Sequence, residues 1–441
     1  MNIAAQYGIA GREARTIAAS VEAAIREHRL APGAAVPTVR SLARALGVSP
    51  ATVSAAYRTL RTRGLVHGRS RRGTQVRHQP PVSARPAVPV AAGLRNLAYG
   101  APDPALLPRL RRAAAHLDSR PRLYGEPASL AALRRVAAAD LARDGVSAEH
   151  VTVVSGALDG IERVLQAHLR PGDRVAVEDP GYAAVLDLTG ALGLVPESVE
   201  VDDSGPRPGD LARALACGCE AFILTPRAQN PTGAAVDDER AGELRRVLDR
   251  HPRVLLIEDD HAGPVAGAPA VTLSADRGRW AVVRSVSKWL GPDLRLAILA
   301  GDPTTVSRVE GRLSVGSGWV SHVLQEIAAF FWTDPATRRL LARATATYAE
   351  RRRVLLAALA ARGIEARGRS GLNVWIPVRE ESPVVTALAD DGWAIRAGER
   401  FRLRSGPAVR ITTATLGPRD AERVADALHR ALAGDGRTSV P

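Results

Sequence analysis

Lysine is almost missing from this 441-residue chain. Of its 60 lysine and arginine residues, 59 are arginine and one is Lys288. Where only positive charge is needed, the chain uses guanidinium, which stays protonated in proteins, whereas an amine can lose its proton and attack a carbonyl. The single lysine is therefore a candidate for covalent chemistry of the Schiff-base kind, with compositional drift toward arginine as the alternative. Cysteine is nearly as scarce. Cys217 and Cys219 build no disulfide framework, and a Cys-x-Cys pair without further Cys or nearby His is no zinc site, so two small buried thiols in a reducing cytosol are expected. No run of 18 apolar residues occurs and the N-terminus lacks an apolar signal-type stretch, so the chain reads as soluble and cytoplasmic.

What is present is unevenly charged. The net charge is +14, of which residues 1–78 carry +10, their 13 arginines facing only Glu13, Glu22 and Glu27. A small basic module beside a near-neutral large one suggests a polyanion partner, a solvated basic face being the other reading. Residues 13–29 read as a helix with Ile17, Val21 and Ile25 on one face, and 38–46 as a second. After Gly47-Val48, Ser49 is a good cap and Pro50 a first residue for a third helix that buries Val53, Tyr57 and Leu60 and stops at Gly64. Two short helices around a tight glycine turn have helix-turn-helix spacing. The segment from Leu65 to Val76 reads as two short strands around a basic tip.

Residues 8–77, through Leu30-x-Pro32-Gly33, Pro37-x-x-Arg40-x-Leu42-Ala43 and Gly47-Val48-Ser49, resemble a GntR-type winged helix. The resemblance implies contact with double-stranded operator DNA through Arg40, through Ser49, Thr52, Ser54 and Arg58 at the recognition helix, and through Arg69, Arg71 and Arg72 of the wing. Pro50, where the family often has Arg, and the wing tip depart from the family pattern. The domains expected are a winged helix over 1–78, a Pro-rich semi-rigid linker over 79–93 and one large domain over 94–441.

The large domain alternates strand-like and helical stretches, implying a mostly parallel doubly wound α/β core. Its strand-like runs are Val151–Val154, Arg174–Val177, Ala221–Leu224, Val254–Ile257 and Trp280–Val283. Ligands of such sheets bind beyond the strands' carboxyl ends, and polar punctuation follows every run. Ser155-Gly156-Ala157 opens a helix whose N-terminus suits a phosphate. Tyr182 follows the second run, as a stacking ring or a core tyrosine. Asn230-Pro231-Thr232-Gly233 holds Asn230 extended, able to donate to a phenolate. Glu258-Asp259-Asp260-His261 offers a carboxylate for a pyridine nitrogen or, less readily, a metal. Lys288 lies in Arg284-Ser285-Val286-Ser287-Lys288-Trp289-Leu290-Gly291-Pro292-Asp293-Leu294-Arg295, where hydroxyls and an arginine beside an amine suit a phosphorylated aldehyde.

In that order these segments resemble fold-type-I proteins that use pyridoxal 5'-phosphate (PLP), an aminotransferase-like fold with a smaller C-terminal α/β subdomain. The resemblance implies that Lys288 forms the Schiff base, Asp259 meets the ring nitrogen, Asn230 the phenolic oxygen and Tyr182 the ring face. Gly156, Ala157, Ser285, Ser287 and Arg295 would hold the phosphate, Tyr124 would reach a neighbouring subunit's phosphate, and Arg410 would grip a substrate carboxylate. His261 stands where the family usually has Tyr, bringing a titratable charge near the phenolic oxygen. Winged helix, Pro-rich linker and aminotransferase-like domain together resemble MocR-type regulators. This implies a head-to-tail homodimer that regulates transcription by sensing an amino compound or PLP itself. A working aminotransferase with a DNA-binding appendage is the alternative, and half-reactions are chemically possible. Metal is not expected.

Overall fold

The computed structural model describes residues 3–27, 29–31, 33–62, 65–69, 73–76, 90–118 and 120–434. They form two compact units, the larger holding most of the chain from residue 88 onward.

In the smaller unit, α1 (Ala14–Arg26) is shorter than its apolar period suggests, because Glu13 is its N-cap, its N–H donating to Thr16 Oγ1 at 3.2 Å. Helix α2 (Val39–Leu46) starts where Thr38 accepts the Ser41 N–H at 3.1 Å, and stops at Gly47, whose φ of 67° suits glycine. Helix α3 (Pro50–Thr62) begins with Ser49 Oγ accepting the Thr52 N–H at 3.1 Å. Ile17, Val21, Leu42, Val53 and Leu60 fill one core, and the buried Tyr57 hydroxyl donates to the Pro37 carbonyl at 2.6 Å, tying α3 to the segment before α2. Strands β1 (Val66–Arg69) and β2 (Gly73–Val76) pair antiparallel, the expected wing. Arg71 and Arg72, the stop at Gly64 and linker residues 79–89 lie outside the described residues, and only the backbone of Arg69 is described.

The larger unit is built on an eight-stranded sheet: β3 (Val151–Val154), β4 (Arg174–Asp179), β5 (Val195–Asp202), β6 (Gly205–Pro206), β7 (Cys219–Leu224), β8 (Leu255–Asp260), β9 (Trp280–Ser285) and β10 (Ala297–Gly301). Their order is β3-β10-β9-β8-β7-β4-β5-β6. The neighbours β7, β8 and β9 run parallel, and β10 antiparallel to both β9 and β3. Strands β4, β8 and β9 extend past the apolar runs, to Asp179, Asp260 and Ser285. The polar residues read as punctuation after these strands are thus their buried last residues. The ladder continues through Asp260 because a cross-strand partner satisfies its side chain, the directly opposed Arg284 donating to it.

A smaller antiparallel sheet, order β11-β13-β12, comprises β11 (Asn373–Pro377), β12 (Arg396–Ala397) and β13 (Ala408–Thr412). Its residues Val374, Ile376, Val409 and Ile411 share a core with Leu355 and Leu428 of the helices Pro335–Ala360 and Pro418–Gly434. One expectation fails here: Cys217 is exposed, and only Cys219 is buried. Cys217 falls on the turn after the helix Pro208–Ala216, ahead of Gly218, and so reaches solvent. Among the described residues no helix is long and apolar enough to cross a membrane.

Candidate functional site

A cavity of about 220 Å³ opens beyond the carboxyl ends of the parallel strands. Lys288, Asp259, Asn230, Tyr182, Ala157, Ser285, Ser287, Arg295, His261 and Arg410 all line it. Gly156 sits beside it with φ 100°, and a Cβ there would come within 3.3 Å of the Arg295 guanidinium. The positive φ together with that close approach favours glycine where the helix Ala157–His168 presents its N-terminus.

The lysine loop is fixed from below by tryptophan. Trp289 is buried, its indole N–H donates to the Ser285 carbonyl at 2.7 Å, and its ring meets Trp332 edge-on at 4.7 Å. The Ser285 hydroxyl accepts the Ser287 N–H at 3.1 Å, tightening the same turn. Lys288 Nζ is thereby aimed inward and donates to the Gly100 carbonyl at 2.6 Å. Burial, then the charge of Arg410, lowers its amine to about 8, with Asp259 opposing. Lowering the amine toward neutrality makes its neutral, nucleophilic form more accessible.

Period-two alternation of β8 sorts three consecutive acids. Glu258 accepts from Leu273 N–H at 2.5 Å and Thr272 Oγ1 at 2.9 Å. Asp260 accepts from Arg227 Nε at 2.9 Å and Arg284 Nε at 2.7 Å, and both arginines also pair with Asp144 of the segment after the helix Ala131–Arg143. Asp259, between them, points to the opposite face and into the cavity, where its Oδ1 is buried without a partner. Burial and then Asp260 push its carboxyl up to about 7, while Lys288 acts the other way. Among the described residues no three metal-binding side chains cluster.

Asn230 Oδ1 accepts from Arg410 Nη1 at 2.9 Å, so its amide N–H₂ is the end left to donate. The Asn230–Pro231 and Asp179–Pro180 peptide bonds are cis. His261 Nε2 lies 2.8 Å from the Ala228 carbonyl and therefore carries the hydrogen. Its expected titratable charge is a correction: burial, then Lys288, lowers the ring to about 4, leaving it neutral near neutrality. Tyr124 is not a wall of this cavity. It stands 93% exposed, edge-on to Trp319 at 5.7 Å. Sequence reasoning missed Gly100, Tyr99 and Asn373, which line the cavity. They come from segments with no strand-end signal, and only Tyr99-Gly100 hints at a turn.

In the smaller unit Arg40, Ser49 and Arg58 are exposed, and Thr52 and Ser54 half-buried on α3. The Ser49 and Thr52 hydroxyls lie 2.8 Å apart, already bonded to each other at the helix start.

A winged helix-turn-helix joined to an aminotransferase-like α/β domain with a strand-end cavity defines the class of protein. Residues 13–76 match the gntR family of bacterial regulatory proteins, and residues 93–428 match aminotransferase class I and II. The chain is 40% identical over 428 residues to the vitamin B6 salvage pathway transcriptional repressor PtsJ of Salmonella typhimurium, covering 96% of this chain and 99% of that one. It is 29% identical to the HTH-type transcriptional regulator TauR of Rhodobacter capsulatus, covering 79% and 80% of the two chains. Pyrococcus horikoshii kynurenine aminotransferase shares the fold, at a TM-score of 0.71 and 20% identity over 78% of this chain and 92% of that one. The chain belongs to the MocR-type family of transcriptional regulators, a GntR-type DNA-binding head fused to an aminotransferase class I and II domain. Turnover aminotransfer is the less favoured reading.

Proposed function

We propose that this regulator holds PLP at Lys288 and uses the occupied site to sense an amino compound, or PLP itself, and so alter how its heads engage an operator. The observation that carries the reading is the unpartnered Asp259 Oδ1, a buried carboxylate oxygen beside the chain's only lysine. A buried charge left alone is costly, and a protonated pyridine nitrogen is the kind of partner it lacks. The other donors fit the same group. Asn230 offers its amide N–H₂ to a phenolic oxygen, His261 presents its unprotonated second ring nitrogen as an acceptor, and Tyr182 flanks the ring. Gly156, Ala157, Ser285, Ser287 and Arg295 form the phosphate end, and Arg410 a carboxylate end. Bound there, PLP supplies an electrophilic aldehyde and an electron sink. The chain's own residues orient it, supply a deprotonatable amine at Lys288 and hold a proton at the ring nitrogen through Asp259.

The exposed Tyr124 beside the 68%-exposed Leu123 supports a head-to-tail homodimer in which Tyr124 reaches the other subunit's phosphate. The heads then contact DNA through Arg40, Ser49, Thr52, Ser54, Arg58, Arg69, Arg71 and Arg72, in the cytoplasm. The test is borohydride reduction after PLP loading. Wild type retains a covalent pyridoxyl group, and Lys288→Ala retains none while staying folded. A Lys288→Ala protein that still traps PLP would sink the assignment. Mapping bound DNA beside the protein's own gene, with and without PLP, tests the regulatory half.

A further inference from the structure

Arg410, at the carboxylate end of the cavity, has a second arginine beside it on the neighbouring strand. Arg396 of β12 lies directly opposite Arg410 of β13, and directly opposed residues of an antiparallel pair share a sheet face. Arg410 enters the cavity from that face, so Arg396, half-exposed, flanks it on the same side. Like charges directly opposed destabilise a sheet. Arg410 donates to the Asn230 amide oxygen and the Ala98 carbonyl, both neutral, and its Nε is buried without a partner. Among the described residues no carboxylate forms an ion pair with Arg396 or Arg410. Glu381, the buried acid of the same subdomain, is bonded to Arg402 Nε at 3.0 Å and to the Glu399 and Ala408 N–H groups. Burial, then Arg396, lowers Arg410 to about 10, so the two charges feel each other.

Charge counting then selects the ligand, and it rests on the proposed PLP reading. The phosphate has Arg295 and the N-terminus of the helix Ala157–His168, the ring nitrogen has Asp259, and Lys288 is taken up by the aldehyde. Two guanidiniums remain with no anion. We propose that the effector is an amino compound with two acidic groups, one carboxylate on Arg410 and a second acid on Arg396, which makes Arg396 the residue that selects dianionic over monoanionic ligands.

The experiment titrates the PLP-loaded full chain with L-aspartate and L-glutamate against L-alanine and L-norvaline, following the visible absorption of the bound cofactor. Wild type responds to a dicarboxylate at lower concentration than to its monocarboxylate counterpart. Arg396→Gln raises the half-saturating dicarboxylate concentration roughly tenfold to a hundredfold, the loss expected for one charge-assisted hydrogen-bonded pair, and leaves the monocarboxylates unmoved. Arg396→Lys retains part of the preference because it keeps the charge. Equal weakening of both classes in Arg396→Gln, no preference in wild type, or no response to any of the four compounds overturns the inference. All three outcomes leave the cofactor reading standing as long as borohydride still traps PLP on Lys288. Failure of that trapping is the separate result that overturns the reading beneath it.

Discussion

Replacing Asp259 by asparagine should make the cofactor-free protein more stable, and increasingly so as pH rises. The Asp259 carboxyl is fully enclosed, its Oδ1 has no partner, and burial with Asp260 nearby raises it to about 7. In the unfolded chain it titrates at about 3.9. Between those values the folded state holds a proton that the unfolded state has lost, so unfolding free energy falls with rising pH. At about 1.4 kcal/mol per pH unit over roughly three units, wild type loses about 4 kcal/mol by pH 7, and no more above it. Asparagine carries no such proton. Its advantage over wild type should therefore be about 1 kcal/mol or less at pH 4.5 and reach several kcal/mol at pH 8. Lys288, deprived of the carboxylate's attraction in the variant, offsets part of the gain. Urea unfolding of the apoprotein at both pH values measures this. Saturating PLP should reverse the ranking, since a ligand stabilises only as far as it binds and Asp259→Asn lacks the charge that keeps the ring nitrogen protonated. An apoprotein difference independent of pH would refute the reasoning.

Further outcomes are expected in the large unit and in the head. Arg284→Met should destabilise the large unit by about 3–5 kcal/mol, because it leaves buried Asp260 and its neighbours Asp140 and Asp144 with one arginine fewer. Asp260 is held well below the usual carboxylate range by Arg284 and Arg227 against the penalty of burial, so its contribution is present above about pH 4 and lost as pH falls. The Arg284→Met deficit should accordingly shrink in acid, and a urea-measured deficit that stays constant would count against the ion network. In the head, Arg40→Ala should weaken binding to operator and random DNA alike and flatten the salt dependence by about one unit. Thr52 changes should instead alter which sequence is preferred, as read by electrophoretic shift on variant operators, and a chain starting at residue 94 that bound the operator undiminished would move the DNA site elsewhere.

How far the site could be read in advance follows from how far its parts lie from one another along the chain. The helix-turn-helix is local. Thr38, Gly47, Ser49 and Pro50 set the boundaries of α2 and α3 by capping and turn chemistry that neighbouring residues reveal. The strand-end residues were readable because parallel strands are apolar runs, and a polar residue at their end marks the ligand side. What stayed hidden is nonlocal. Lys288 meets Gly100 across 188 residues, and Arg284 meets Asp140 and Asp144 across 144 and 140. No periodicity announces such partners. Asp259 and Asp260 show the consequence most sharply. They are identical in type and adjacent in sequence, and alternation says that they face opposite ways, but not which way. The choice is made by Arg227 and Arg284, each immediately preceding a cavity residue, Ala228 and Ser285. By holding Asp260 in a buried ion network they turn Asp259 toward the cavity and leave its charge without a protein partner. The same arginines that stabilise the floor of the site therefore create the unmatched carboxylate that a cofactor must answer.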